Sequence, residues 1–161
     1  MYATLQPRSS LAPLNSGRLK RNRVLFPHEQ IVGNRIIDSE HKKLQDIING
    51  IAGMIAEGEL AGLPERFELL ENSLCAYFAI EERIAQALDF DFEQHGLAHQ
   101  YLLHNFKRIR DELMARDGMW SRFEEEGYIR SMMVYLDRHI KVESHSFKTV
   151  LDTRPYDFNP G

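Results

Sequence analysis

A single cysteine, Cys75, is all the thiol this chain of 161 residues has. An internal disulfide, a cysteine-rich zinc site and a thiolate-held iron–sulfur cluster are therefore excluded. Long apolar runs are missing too. None approaches the roughly 20 residues that cross a bilayer, and no signal-peptide pattern opens the chain. These absences set the expectation of a cytoplasmic protein with no membrane span. Strand-type alternation, internal repeats and low-complexity tracts are also lacking. What is present is 43% hydrophobic and 27% charged residues, the balance of a globular protein, at the length of one domain.

Acid is absent from the first 27 residues, which hold five bases: Arg8, Arg18, Lys20, Arg21 and Arg23. Taking these five from the 20 basic residues leaves 15 against 24 acids, so the rest of the chain carries −9. An acidic body makes a poor nucleic-acid binder, because phosphate contacts need clustered Lys and Arg. The arm itself, residues 1–30 with Pro7, Pro13 and Pro27, reads as irregular. It is either a solvated or strapping extension or a contact for an anionic or protein partner.

Four segments then follow helical spacing. The first spans about 38–57, with Asp38 as its expected N-cap and Leu44, Ile47, Ile48, Ile51 and Ile55 as its stripe. The second spans about 64–88, opening at Pro64 and carrying Phe67, Leu70, Leu74, Phe78 and Ile84. The third spans about 92–116 and ends at Asp117-Gly118. The fourth spans about 128–151, with an earlier start near Trp120 left open. Short links between four amphipathic helices predict an all-α, antiparallel up-down-up-down four-helix bundle over 31–152, with a C-terminal tail at 153–161.

Each helix places a polar group on or beside its apolar stripe: His41, then Glu81, then His95 and His99, then His139, with Glu143 a turn further on. Residues four apart stack on one helix face. His95 with His99, His139 with Glu143, and Tyr77 with Glu81 are such pairs. Burying an ionised carboxylate is costly unless it is paired or bound to a metal, and a cation turns that penalty into bond formation. The expected product is a nitrogen- and oxygen-lined pocket in the core, of a kind that suits iron, zinc or manganese.

At these residues the sequence resembles the hemerythrin and bacteriohemerythrin family of non-heme di-iron proteins, over roughly residues 32–147. Ile37-Asp38-Ser39-Glu40-His41-Lys42-Lys43-Leu44 is similar to the family's Ile-Asp-x-x-His-x-x-Leu opening. Tyr77-Phe78-Ala79-Ile80-Glu81-Glu82 is similar to its His-Phe-x-x-Glu-Glu element, His95 to His99 to its His-x-x-x-His pair, and His139-Ile140 to its last His-Ile. The resemblance implies iron ligands at His41, Glu81, His95, His99 and His139, with Glu81 bridging two irons. His95, His99 and His139 would hold one iron and His41 the other. Two positions depart from the family pattern. Tyr77 replaces a histidine, and Ser144 replaces a bridging aspartate five residues after His139. Glu143 is the substitute bridge that hemerythrin-like His-x-x-x-Glu helices suggest.

Several of these residues have a plainer reading beside the functional one. Tyr77 is either a ligand or core packing beside Leu74 and Phe78. Glu82 reads as solvated, Ser144 as a filler hydroxyl, and Cys75 as an inert residue off the inward face. His28, His104 and His145 read as surface residues, and Trp120 with Phe123 as core or an end plug. Three functions stay open at this point. One is a di-iron protein that binds dioxygen or a related diatomic for sensing, storage or delivery. The second is a peroxidase or oxidase using Tyr77. The third is a metal-poor interaction module working through the basic arm or the tail.

Overall fold

The computed structural model describes residues 31–161, so the basic arm and His28 lie outside the described residues. The described residues form four helical rods and no strand. Helix α1 is Arg35–Glu57, α2 Leu63–Ala87 and α3 Glu93–Arg116. The fourth rod is continuous but changes its winding. It runs as α4, Arg122–His139, through a π-helical turn, Ile140–Ser144, into α5, His145–Leu151. Each rod packs on its neighbours in the chain and the fourth closes on the first, giving the four-helix bundle. No helix among the described residues is long and apolar enough to cross a membrane.

The helix ends follow local chemistry. Asn34, in extended conformation, caps α1 by accepting hydrogen bonds from the Ile36 and Ile37 amides at 3.1 and 3.2 Å. This corrects the expectation for Asp38, which lies inside the first turn and instead accepts from the Val32 amide at 2.8 Å. Gly58 ends α1 at φ 73, a left-handed conformation that a residue without Cβ adopts freely. At the head of α4, Ser121 and Glu124 exchange hydrogen bonds in a capping box, which sets the start at Arg122 rather than near Tyr128.

The inward stripes pack as the spacing requires, and Leu44, Ile48, Ile51, Phe67, Leu70, Leu74, Phe106 and Leu136 are fully buried or nearly so. Each such side chain contributes about 1.5–3 kcal/mol relative to exposure. Phe123 departs from its expected core role. It is 85% exposed, on the outer face of the first turn of α4, whereas Trp120 packs against the core. Because the rods are antiparallel, the starts of α1 and α3 meet the ends of α2 and the fourth rod. At the opposite end the buried residues, among those described, are apolar, including Ile55, Leu63, Phe67, Leu113 and Ile129.

The tail is tied down rather than loose. The Arg35 amide donates to the Tyr156 carbonyl at 2.8 Å, and Asn34 Nδ2 donates to the Phe158 carbonyl at 2.9 Å. Phe158 packs on the core, with the Arg154 guanidinium 5.5 Å from its ring centre.

Candidate metal centre

The end of the bundle where the tail folds back is the end that holds the polar residues. Its topology is written in the order of the chain. His41 is in the first half of α1, Glu81 near the close of α2, His95 and His99 in the first turns of α3, and His139 at the last residue of α4. Antiparallel packing brings these positions to one height.

One ligating atom from each of Glu81, His95, His99 and His139 lies within 4.8 Å of all the others, and all four residues are buried. Glu81 Oε2 is 3.0 Å from His95 Nε2, 2.8 Å from His99 Nε2 and 3.7 Å from His139 Nε2. Two donors each about 2.1 Å from an ion stand roughly 3.0 Å apart at a right angle and about 3.4 Å at the tetrahedral angle. The distances from Glu81 bracket those values. This buried group of one carboxylate and three imidazoles can hold a metal ion.

Its electrostatics point the same way. Burial pushes the Glu81 carboxyl up, but the imidazoles of His139, His95 and His99 more than offset that and hold it well below the usual carboxylate range. Burial lowers His99 from 6.5 to about 4, against the pull of Glu81, and lowers His41 to about 4 for the same reason. The carboxylate is thus ionised while these two rings are neutral, leaving a buried negative charge that no cationic side chain offsets among these neighbours and that a metal ion replacing the Nε2 protons would balance. The Nδ1 atoms of His41, His95 and His139 are buried without a hydrogen-bond partner. No protein group therefore fixes these rings through Nδ1, and their Nε2 edges are the ones turned towards Glu81 and Tyr77. Ring orientation rests on packing instead. Phe92 stacks on His95 at 4.6 Å between centroids, and Phe78 on His99 at 3.9 Å.

His41 and Tyr77 sit beside the four rather than among them. Tyr77 Oη is 2.9 Å from His41 Nε2, 3.1 Å from His139 Nε2 and 3.1 Å from Ser144 Oγ. Ser144 Oγ donates to Glu81 Oε1 at 3.2 Å. Proton counting fixes the directions without metal. An ionised Glu81 only accepts, so Ser144 donates to it and takes its own hydrogen bond from Tyr77. Tyr77 then accepts from both imidazoles. Burial, with Glu81 nearby, raises the Tyr77 hydroxyl well above 10, so the phenol keeps its proton.

Glu143 is not brought into the group. It is half-buried and lines a cleft outside the core, while Ser144, read from the sequence as filler, is fully buried and bonded to both Tyr77 and Glu81. The π-helical turn is the reason, because closing over five residues carries position 144 onto the face of His139. Glu82, His104, His145 and Cys75 are all exposed, as their surface readings require. Compared with known protein families, with curated proteins and with solved structures, the chain finds no match.

Proposed function

We propose that this chain is a hemerythrin-like non-heme iron protein that binds dioxygen or a related diatomic molecule in its bundle core, for sensing, storage or delivery. The observation that carries the reading is the buried Glu81 carboxylate with three histidine nitrogens turned towards it. Iron held there would supply an open coordination position and the electrons a diatomic ligand draws on. The chain's own groups do the rest. Glu81, His95, His99 and His139 hold the ion, Phe78 and Phe92 fix two of the rings, and the surrounding core excludes bulk water.

The sequence resemblance implies two irons. The geometry favours one. A second ion would have His41, Tyr77 and Glu81 Oε1 to draw on, and Tyr77 Oη already spans that place with hydrogen bonds to His41, His139 and Ser144. Iron analysis of the purified protein, with optical spectra under air and after reduction, tests the reading. Near one equivalent of iron supports the single-ion form, and near two restores the di-iron form. Less than about half an equivalent, with no gain on anaerobic reconstitution, overturns the proposal.

A redox enzyme is the second reading, favoured by the Tyr77 hydroxyl 3.1 Å from the ligating edge of His139. Peroxide turnover that is lost in Tyr77→Phe supports it, and an unchanged rate removes it.

A further inference from the structure

The four donors are buried to within a few per cent of complete, so an ion cannot reach them through the packed stripes. Between α3 and the fourth rod lies a cleft of about 410 Å³. Ala98, Tyr101, Tyr135 and Arg138 line its sides, and His139, one of the four donors, lines it as well. Glu143 stands on the same wall, one turn beyond His139. From this we infer that the cleft is the route by which a hydrated divalent cation reaches the buried group, with Glu143 as the carboxylate that captures it on the way. The inference rests on the metal-centre reading and adds to it a site that is distinct from the final ligands.

Size and donor chemistry agree. Six waters at about 30 Å³ each occupy roughly 180 Å³, so a hydrated ion fits the cleft with room to turn. The Glu143 carboxylate makes no ion pair among the described residues, although Arg138 lines the same cleft. A carboxylate oxygen is a hard donor that takes a divalent cation while most of its waters remain. His139 then offers the first nitrogen, and the remaining donors follow behind it. Arg138 opposes the approach of a cation, which makes a nearby carboxylate matter more. The acidic balance of the chain beyond Pro27 favours cation approach from solution.

The test is the rate at which the full-length, metal-free protein takes up cobalt(II), followed by stopped-flow absorbance, with the final cobalt content measured separately. Ala98→Trp, which fills the cleft, is expected to slow uptake at least about tenfold and to leave the final content unchanged. Glu143→Gln is expected to slow it about threefold at low salt, with the difference vanishing near roughly 1 M salt, where the Debye length falls to about 3 Å. A purely structural role for Glu143 would not show that salt dependence. Leu97→Trp, at the exposed rim of the cleft, is the second blocking variant should Ala98→Trp fail to fold. Wild-type rates in the folded blocking variants overturn the route, and a wild-type rate in Glu143→Gln overturns the capture role. Wild-type protein that takes up no cobalt overturns the metal centre itself, which is a separate result.

Discussion

Glu81 is an ionised carboxylate with no exposed surface, and its whole environment is built to tolerate that charge. Replacing it by Gln keeps the shape and an acceptor for the histidine N–H groups but removes the charge. Metal affinity should fall by more than the roughly 10–100-fold that changes outside the ligand set cost, while the metal-free protein keeps its helical circular dichroism. Titration with cobalt(II) and a far-ultraviolet spectrum check both halves. A second prediction concerns pH. His41 and His99 are held neutral by burial, at about 4 against an ordinary 6.5. Between those values the unfolded chain binds protons that the native rings refuse. The stability these two rings protect is whole above pH 6.5 and drains as pH falls towards 4. Urea melts of the metal-free protein at pH 7 and pH 5 should show a lower midpoint at pH 5, and equal midpoints would refute the assignment.

At the scale of elements, the ends of the rods matter as much as their faces. Asn34 caps α1 with its side-chain oxygen and ties the tail to it with its side-chain nitrogen. Asn34→Ala removes both, and should destabilise the protein by about 1–2 kcal/mol in thermal or urea melts. The tail should then become more sensitive to proteolysis. The fourth rod shows how winding selects chemistry. An unbroken α-helix would set Glu143 beside His139 at the four-residue spacing, and the pairing of those two from sequence rests on that assumption. The π-helical turn at Ile140–Ser144 instead closes over five residues and gives the inward place to a hydroxyl. Periodicity assumes one winding throughout, so a local change of winding is invisible to it.

At the scale of the whole molecule, metal and fold should be linked. A ligand bound only by the native state at 100 times its Kd adds about 2.7 kcal/mol. For a chain of this size, that is a rise in Tm of roughly 5–10 °C over the metal-free form. Calorimetry before and after chelation reads it directly, and an unchanged Tm would favour the metal-poor interaction module instead. Much of the architecture was legible in the residues themselves. The stripes of Leu44 to Ile55, Phe67 to Ile84 and His95 to Leu113 repeat every three or four residues, and a buried face is the only stable use for such a repeat. The short links between them leave antiparallel packing as the way to bury those faces, which carries Glu81, His95, His99 and His139 to one end. Tertiary structure alone decided which neighbours meet atom to atom: that Tyr77 bridges His41, His139 and Ser144, that Glu143 turns to a cleft, and that the tail rests on Asn34 and Arg35. Those outcomes depend on rod rotation, local winding and long-range contact, and a repeat along one chain carries no record of the distance between separate rods.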